Sequence, residues 1–283
     1  MEHDAFWEFE RDGWNRAAPR YEECWADTGL FVETLLDAAG VGAGSRVLDV
    51  ACGPGIVSEA AFERGAEPVG LDVAPGMLER ARARRPDLTF VEGDAHRLPL
   101  EDGSFDAVTM SFGILHLSRP ETAFAEAYRV LVPGGTFAFT AWVAEGNAVA
   151  EIVDSAVAAH AVPVELPEGP PFYRFGDADE SRRALVAEGF DDDSFRSATV
   201  ATRWRVPTAE LLFEAELHAG VRTSAVLREQ PPDRLEAIAA AMAAGVRRYA
   251  DDGEFALPVV AQVTAARRPG GDDFWDAGPS KEP

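Results

Sequence analysis

Residues 46–55, which read R-V-L-D-V-A-C-G-P-G, constrain the fold more than any other part of the chain. Val47, Leu48 and Val50 form a short apolar run with β-branched members, which is typical of a buried parallel strand. The run ends at two glycines, and apolar residues then recur at helical spacing over residues 56–64. The segment therefore predicts a strand, a tight glycine turn and a helix.

The glycine turn favours a bound ligand, but packing explains it equally well. Gly53 and Gly55 have no side chain, so the backbone can approach a ligand closely. The helix that follows offers free N–H groups, and Asp49 brings a carboxylate to the same place. However, glycines also occur in such turns for packing alone, and Ser58 stands where a dinucleotide-binding fingerprint has its third glycine. The turn by itself leaves both interpretations open.

Two further carboxylates fall at the ends of predicted strands. Asp72 ends the second strand, residues 68–73, and lies 17 positions after Gly55, where an acid can accept both hydroxyls of a ribose. Asp94 follows the third strand, residues 88–92, where it can accept from an exocyclic amine. The alternatives are a helix N-cap for Asp72 and an ordinary turn aspartate for Asp94.

The order of the elements predicts an α/β fold with a parallel, doubly wound sheet. Two more strands, residues 105–111 and 136–142, alternate with helices after the first three. The second half is predicted to contain strands at 195–206 and 255–265, with two or three helices between them.

Composition excludes several classes of protein. The 283-residue chain carries a net charge of −23, which repels phosphate backbones and makes nucleic acid an unsuitable partner. Its two cysteines form neither a disulfide framework nor a metal cluster. The acidic N-terminus is unlike a signal peptide, and no apolar stretch is long enough for a membrane span. We therefore expect a cytoplasmic protein without a bound metal; the sequence leaves open whether it is a monomer or a homodimer.

Five motifs, taken together, resemble class I S-adenosylmethionine-dependent methyltransferases of the ubiquinone/menaquinone-biosynthesis-like, small-molecule type. They read V-L-D-V-A-C-G-P-G (47–55), G-L-D-V-A-P-G-M-L (70–78), E-G-D-A-H-R-L-P-L (92–100), F-D-A-V (105–108) and L-V-P-G-G (131–135). The resemblance implies a Rossmann-like, doubly wound, seven-stranded and mostly parallel sheet with helices on both faces. Its last strand would be antiparallel and preceded by a helical insertion.

The resemblance also implies which residues contact the methionine part of the cofactor S-adenosyl-L-methionine. Asp49 would hold its amino end, directly or through water, and Gly53 and Gly55 would let the backbone close on it. Ser111 would line the region near the sulfonium. Ala51 belongs to the same turn and replaces a glycine that many relatives carry, but alanine is small enough for binding to persist.

The adenosine part would be bound at the ends of the second and third strands. By resemblance, Asp72 would bind the ribose hydroxyls, and Val73 and Met77 would pack on the adenine. Asp94 would accept from the adenine amine, and the Ala95 N–H would face a ring nitrogen.

Candidates for catalysis and acceptor binding lie outside these motifs. His116, just past the fourth strand, is the candidate general base, with a structural histidine as the alternative. Trp142, Phe172 and Tyr173 are candidates for the acceptor site. Tyr21 either packs on the domain or faces the ligand mouth as part of a flap, where it is a candidate for binding the cofactor.

The sequence thus predicts a methyltransferase that acts on O, N or C of a small molecule by in-line displacement. The expected plan is an N-terminal helical cap (1–40), a cofactor-binding core (41–207 and 254–268), a helical insertion serving as a substrate lid (208–253) and a disordered tail (269–283). One alternative keeps the fold and cofactor for non-methylating chemistry or sensing. The other is a nicotinamide-dependent oxidoreductase, against which the missing third glycine counts.

Overall fold

The computed structural model describes residues 4–25 and 28–270, which fold around one mixed β-sheet. Its order is β3-β2-β1-β4-β5-β8-β6, and the two-residue strand β7 pairs with β8. The strands of the described chain are β1 (Arg46–Val50), β2 (Glu67–Asp72), β3 (Thr89–Glu92), β4 (Phe105–Ser111), β5 (Leu131–Trp142), β6 (Arg196–Val206), β7 (Ala250–Asp251) and β8 (Glu254–Arg267).

The first five strands are all parallel, and their order reverses between β1 and β4. Parallel strands joined by helices end at the same edge of the sheet, and ligands bind at the point where the order reverses. Asp72 pairs with Glu92 at this edge, next to the turn that follows β1. The predicted doubly wound sheet is confirmed.

Strand β8 lies between β5 and β6 and is antiparallel to both. The predicted strands at 195–206 and 255–265 are therefore the last two long strands. The sheet has the expected mostly parallel arrangement, and β7 is an eighth strand too short to be recognised from sequence. Strand β5 also begins earlier than predicted, because Leu131 pairs with Phe105 before the register shifts and Thr136 pairs with Ala107.

The helices of the described chain, apart from short 3₁₀ turns, are α1 (Ala5–Cys24), α2 (Val32–Ala38), α3 (Ile56–Glu63), α4 (Pro75–Arg84), α5 (Pro120–Val130), α6 (Ala148–His160), α7 (Ala178–Ala187), α8 (Leu211–Ala219), α9 (Arg222–Arg228) and α10 (Pro232–Arg247). Three helices, α8 to α10, thus fill the stretch between β6 and β7. Helix α1 packs against α4 and α8, so it joins the parallel core to this later helical region.

Alternate residues of the central strands face the two sides of the sheet, as the pleat requires. On one side, Val47 and Ala107 pack with the apolar residues of α2 and α3. On the other, Leu48, Val108 and Phe137 pack with α5 and α7. Both sides are buried, which explains why these strands read as continuous apolar runs rather than as alternating patterns.

The division of the chain into cap, core, lid and tail stays a prediction. Residues 271–283, most of the predicted tail, lie outside the described residues, as do residues 1–3, 26 and 27 of the predicted cap.

Candidate functional site

A cavity of about 450 Å³ lies at the carboxyl edge of the central strands. Its walls come from two groups of elements. One group consists of the segments that follow β1, β2, β3 and β4, and the other of helices α1, α6, α8 and α9. The cavity is therefore shared between the parallel core and the helices packed on its edge.

Most of the residues predicted for the site line this cavity. Those that do are Tyr21, Ala51, Gly53, Asp72, Val73, Met77, Asp94, Ala95, Ser111, His116, Trp142, Phe172 and Tyr173. Asp49 and Gly55 are not among the lining residues. The roles assigned to all of them remain predictions.

The two glycines of the turn differ in what surrounds them. Gly53 has a φ of 54°, and a Cβ added to it would meet nothing within 4 Å. Gly55 has a φ of 83°, and a Cβ there would lie 2.9 Å from the Phe90 ring. Ala51 adopts a φ of 55°, a left-handed conformation that costs an L-residue energy. Gly55 is thus needed for packing, while Gly53 leaves room on the cavity side.

Asp49 is directed into the protein rather than into the cavity. Its carboxylate accepts a hydrogen bond of 2.7 Å from Ser58 Oγ and a longer one, 3.4 Å, from Thr109. Burial raises its pKa to about 7, against the lowering effect of these bonds. Ser58, the residue that breaks the dinucleotide fingerprint, is therefore the partner of Asp49.

Asp72 connects the glycine turn to the cavity. Its Oδ2 accepts from the Gly53 N–H at 2.8 Å and its Oδ1 from the Ala74 N–H at 2.8 Å. Burial raises its pKa, while these bonds and the nearby His116 act in the opposite direction. The N-cap of α4 is Ala74, so Asp72 is not the helix N-cap considered as its alternative.

Asp94 has two protein partners that the sequence did not indicate. Its Oδ1 lies 2.6 Å from Nδ1 of the buried His96 and also accepts from the His96 N–H. Burial acts to raise its pKa, but hydrogen bonds from His96 and from the Trp7 side chain hold it below its usual value. Asp94 is thus oriented by its own loop and by α1.

An aromatic cluster covers the end of β4. Phe112 stacks on Trp142 with ring centroids 4.0 Å apart, and Phe31 meets both rings edge-on. Phe112 has a φ of 54°, and its N–H donates to Thr140 Oγ1 at 2.9 Å. Strained backbone of this kind is common at functional sites. Here it places an aromatic ring directly after Ser111.

The helical side of the cavity carries acidic groups among its aromatic residues. Burial raises the pKa of Glu216 to about 7, a hydrogen bond with Thr223 opposes this, and Asp154 adds to it. Burial also raises the pKa of Tyr173 to about 12. Such shifts are frequent at functional sites.

His116 makes contacts that sequence reasoning missed. Its Nδ1 lies 2.9 Å from Oε2 of Glu10, and Oε1 of Glu10 accepts from Arg222 Nε at 3.0 Å. His116 lies 106 positions after Glu10 and Arg222 lies 212 positions after it, so the three residues belong to no common sequence motif. Only the apolar spacing around Glu10, which places it on the buried side of α1, could have indicated a role.

Comparison with known proteins decides what the parallel core is. Residues 48–139 match a family described as a methyltransferase domain. This segment is a methyltransferase domain. It contains the glycine turn, Asp72, Asp94 and Ser111, and so includes the sheet-edge side of the cavity.

Curated relatives match part of the chain rather than the whole of it. A demethylmenaquinone methyltransferase of Renibacterium salmoninarum is 50% identical over 123 residues, which are 42% of this chain and 52% of the relative. The chain thus spans about half the length of the curated relatives it matches.

Solved structures show the same fold over most of the chain. A putative methyltransferase from an antibiotic biosynthesis pathway of Anabaena variabilis has a TM-score of 0.58, with 19% identity, over 83% of this chain and 96% of that one. The [4+2]-cyclase SpnF has a TM-score of 0.52, with 21% identity, over 86% of this chain and 82% of that one. At these identities the likeness concerns the fold alone.

The cofactor of a methyltransferase domain is S-adenosylmethionine, and the cavity residues fit it. Asp72 is an acceptor-only carboxylate whose lone pairs are not all used by Gly53 and Ala74, so it can also accept from hydroxyl groups. The open space beside Gly53 suits a ligand that approaches the backbone. Val73 and Met77 add the apolar surface that a base requires.

Within residues 4–25 and 28–270, no helix combines the length and the apolar character needed to cross a membrane.

Proposed function

We propose that this protein transfers the methyl group of S-adenosylmethionine to a small-molecule acceptor. The observation that carries the proposal is the continuity of the cavity. The same space is lined by Asp72 and Asp94 of the methyltransferase domain and by aromatic residues of helices outside it. Cofactor and acceptor can therefore meet without crossing bulk water.

When bound, the cofactor supplies an electrophilic methyl group with a good leaving group. The contribution of this chain is to bind, orient and exclude water. Asp72, Asp94 and the Gly53 turn would fix the adenosyl end. The cluster of Phe31, Phe112 and Trp142 would keep the reacting region dry, because these rings contact one another closely.

The cavity walls favour an acceptor that is at least partly apolar and contains a ring. Trp25 and Trp204 stack with centroids 4.9 Å apart on the helical side, and Phe172 and Tyr173 meet edge-on at 5.0 Å. Aromatic surfaces bind planar ligands by offset or edge-on contacts. We therefore assign Trp142, Phe172 and Tyr173 to the acceptor site and α8 to α10 to its lid.

The proposed setting is the cytoplasm, with a small molecule rather than nucleic acid as the partner. The net charge of −23 supports the second point, because an acidic surface is repelled by phosphate.

The test is incubation of the purified full chain with S-adenosylmethionine carrying a labelled methyl group. The acceptor panel should contain phenols, carboxylates, amines and thiols with an aromatic ring. We expect label to appear in at least one class. Binding of the cofactor without transfer to any class would contradict the proposal and favour non-methylating chemistry or sensing.

A further inference from the structure

Glu10 is a buried charge that the cofactor motifs do not explain. It lies on α1, is 3% exposed, and also lines the cavity. Both of its oxygens are engaged, Oε2 by His116 and Oε1 by Arg222. Burying an ion pair gains little stability, since desolvation offsets the attraction. The contact with His116 therefore invites a functional explanation.

The contact with Glu10 determines which nitrogen of the neutral His116 imidazole carries the proton. An ionised carboxylate can only accept hydrogen bonds, so the neutral His116 ring must carry its proton on Nδ1. The lone pair is then left on Nε2. Glu10 contacts the ring at Nδ1 and has a side chain that is 4% exposed, whereas the His116 side chain is 20% exposed. Both residues line the cavity.

The ring is also held from other directions. Trp14 meets it edge-on with a centroid distance of 4.8 Å, and Phe172 does so at 6.0 Å. His116 lies near enough to Asp72 to lower the pKa of that carboxyl. It thus contacts Phe172, which is assigned to the acceptor site, and lines the same cavity as Asp72, which is assigned to the ribose.

Arg222 binds both Glu10 and the backbone next to His116. Besides binding Glu10, its Nη2 donates at 3.1 Å to the carbonyl of Leu115, the residue before His116. Its guanidinium lies 4.7 Å from the Phe6 ring centroid and 5.4 Å from that of Phe172. An arginine suits this position because its planar fork can serve several acceptors at once.

We propose that Glu10, held by Arg222, is a positioning residue that fixes the Nδ1–H tautomer of His116 and makes Nε2 the general base for the methyl acceptor. This rests on the proposed methyl transfer. It deepens that proposal by naming the acceptor class: groups that must lose a proton, such as a hydroxyl, a thiol or an acidic C–H.

The step balances without a further reactant. The acceptor's bond to hydrogen breaks, and its proton goes to Nε2 of His116. The freed electron pair forms the bond to the methyl carbon, while the carbon–sulfur electron pair stays on sulfur. The imidazolium, stabilised by the Glu10 carboxylate, later returns its proton to water.

The tautomer can be measured without knowing the acceptor. Full-length protein labelled with ¹⁵N-histidine gives long-range ¹H–¹⁵N correlations that distinguish Nδ1–H from Nε2–H, and His116→Asn assigns the signal among the five histidines. We expect His116 in the Nδ1–H form. In Glu10→Ala the population should move toward Nε2–H, whereas Glu8→Ala, an exposed glutamate on the same helix, should leave it unchanged.

An Nε2–H tautomer in the wild-type protein would overturn the inference, even if Glu10→Ala fails to fold. A wild-type-like spectrum of folded Glu10→Ala would overturn it too. Calorimetric titration with S-adenosylhomocysteine separates this from the proposed function. If S-adenosylhomocysteine binds but His116 has the Nε2–H tautomer, only the role of His116 as general base is refuted. If S-adenosylhomocysteine does not bind, the proposed methyl transfer itself is refuted.

Once an acceptor is identified, kcat provides a second test. We expect His116→Asn to lower kcat by about 10²-fold or more, and Glu10→Ala to lower it less, with KM for the cofactor unchanged in both. A rise in KM for the cofactor with unchanged kcat would show a binding role and contradict the proposal.

Discussion

Asp72 faces the cavity and also accepts two backbone N–H groups of the glycine turn and its neighbour. We expect Asp72→Ala to weaken S-adenosylhomocysteine binding by about tenfold to a hundredfold, because a charge-assisted contact is lost. Isothermal titration calorimetry measures this. Asp233→Asn, at a side chain 80% exposed, is the control and should bind as the wild type does. An unchanged affinity of Asp72→Ala would refute the ribose assignment.

Asp49 predicts a pH dependence of stability. Its pKa is near 3.8 in the unfolded chain, and burial raises it to about 7 in the folded protein. The folded state therefore holds the proton more tightly, and stability falls as pH rises between these values. Above about pH 7 that loss is complete.

Asp49→Asn removes this titration and should therefore show a flatter pH profile. The wild type should lose stability between pH 5 and 7, whereas Asp49→Asn should not lose this contribution. The difference in free energy of unfolding, Asp49→Asn minus wild type, should therefore increase with pH, at most by about 1.4 kcal/mol per pH unit. Urea denaturation at several pH values measures the difference. Parallel profiles of the two proteins would contradict the burial of an ionisable Asp49.

The individual residues show where sequence reasoning succeeds. Asp72 and Asp94 were found because strand ends share a sheet edge, which is a property of the fold. The contacts of Asp49 and Glu10 could not be found in this way. Ser58 lies on α3 and His116 beyond β4, and nothing in the local pattern says which side chain turns toward which.

At the scale of elements, the approach of α1 to α9 depends on Gly13. A Cβ added there would lie 2.3 Å from Cγ1 of Val221, the residue before Arg222. We expect Gly13→Ala to lower the free energy of unfolding by about 1–3 kcal/mol through overpacking. Gly42→Ala is the control, because a Cβ there meets nothing within 4 Å.

Urea denaturation compares the two variants. Equal stabilities of Gly13→Ala and Gly42→Ala would contradict the close packing of α1 on the start of α9. Equal stabilities would also count against a joint positioning of Arg222 and Glu10 by these two helices.

The elements were predictable where local sequence agrees with the global fold. The strand Phe105–Ser111 was predicted to the residue, and β6 and β8 were predicted to within one or two residues at each end. The early start of β5 was missed, because Pro133-Gly134-Gly135 reads as a turn. These residues instead lie in a register shift, and the Gly134 N–H donates to the Arg268 carbonyl at 2.9 Å beside the end of β8. Such pairing is set by a distant strand.

At the scale of the molecule, the cavity exists only because distant parts of the chain meet. The methyltransferase domain supplies the sheet edge, while α1, α6, α8 and α9 contribute to the other walls. The matched segment, residues 48–139, contains neither Glu10 nor Arg222. Trp142, Phe172 and Tyr173, which are proposed for the acceptor site, also lie outside this segment.

The most direct test of this account is calorimetric titration of the purified full chain with S-adenosylhomocysteine, and separately with a nicotinamide dinucleotide. We expect saturable binding of S-adenosylhomocysteine at one site per chain, weakened by Asp72→Ala, and no binding of the dinucleotide. Binding of the dinucleotide without binding of S-adenosylhomocysteine would contradict it.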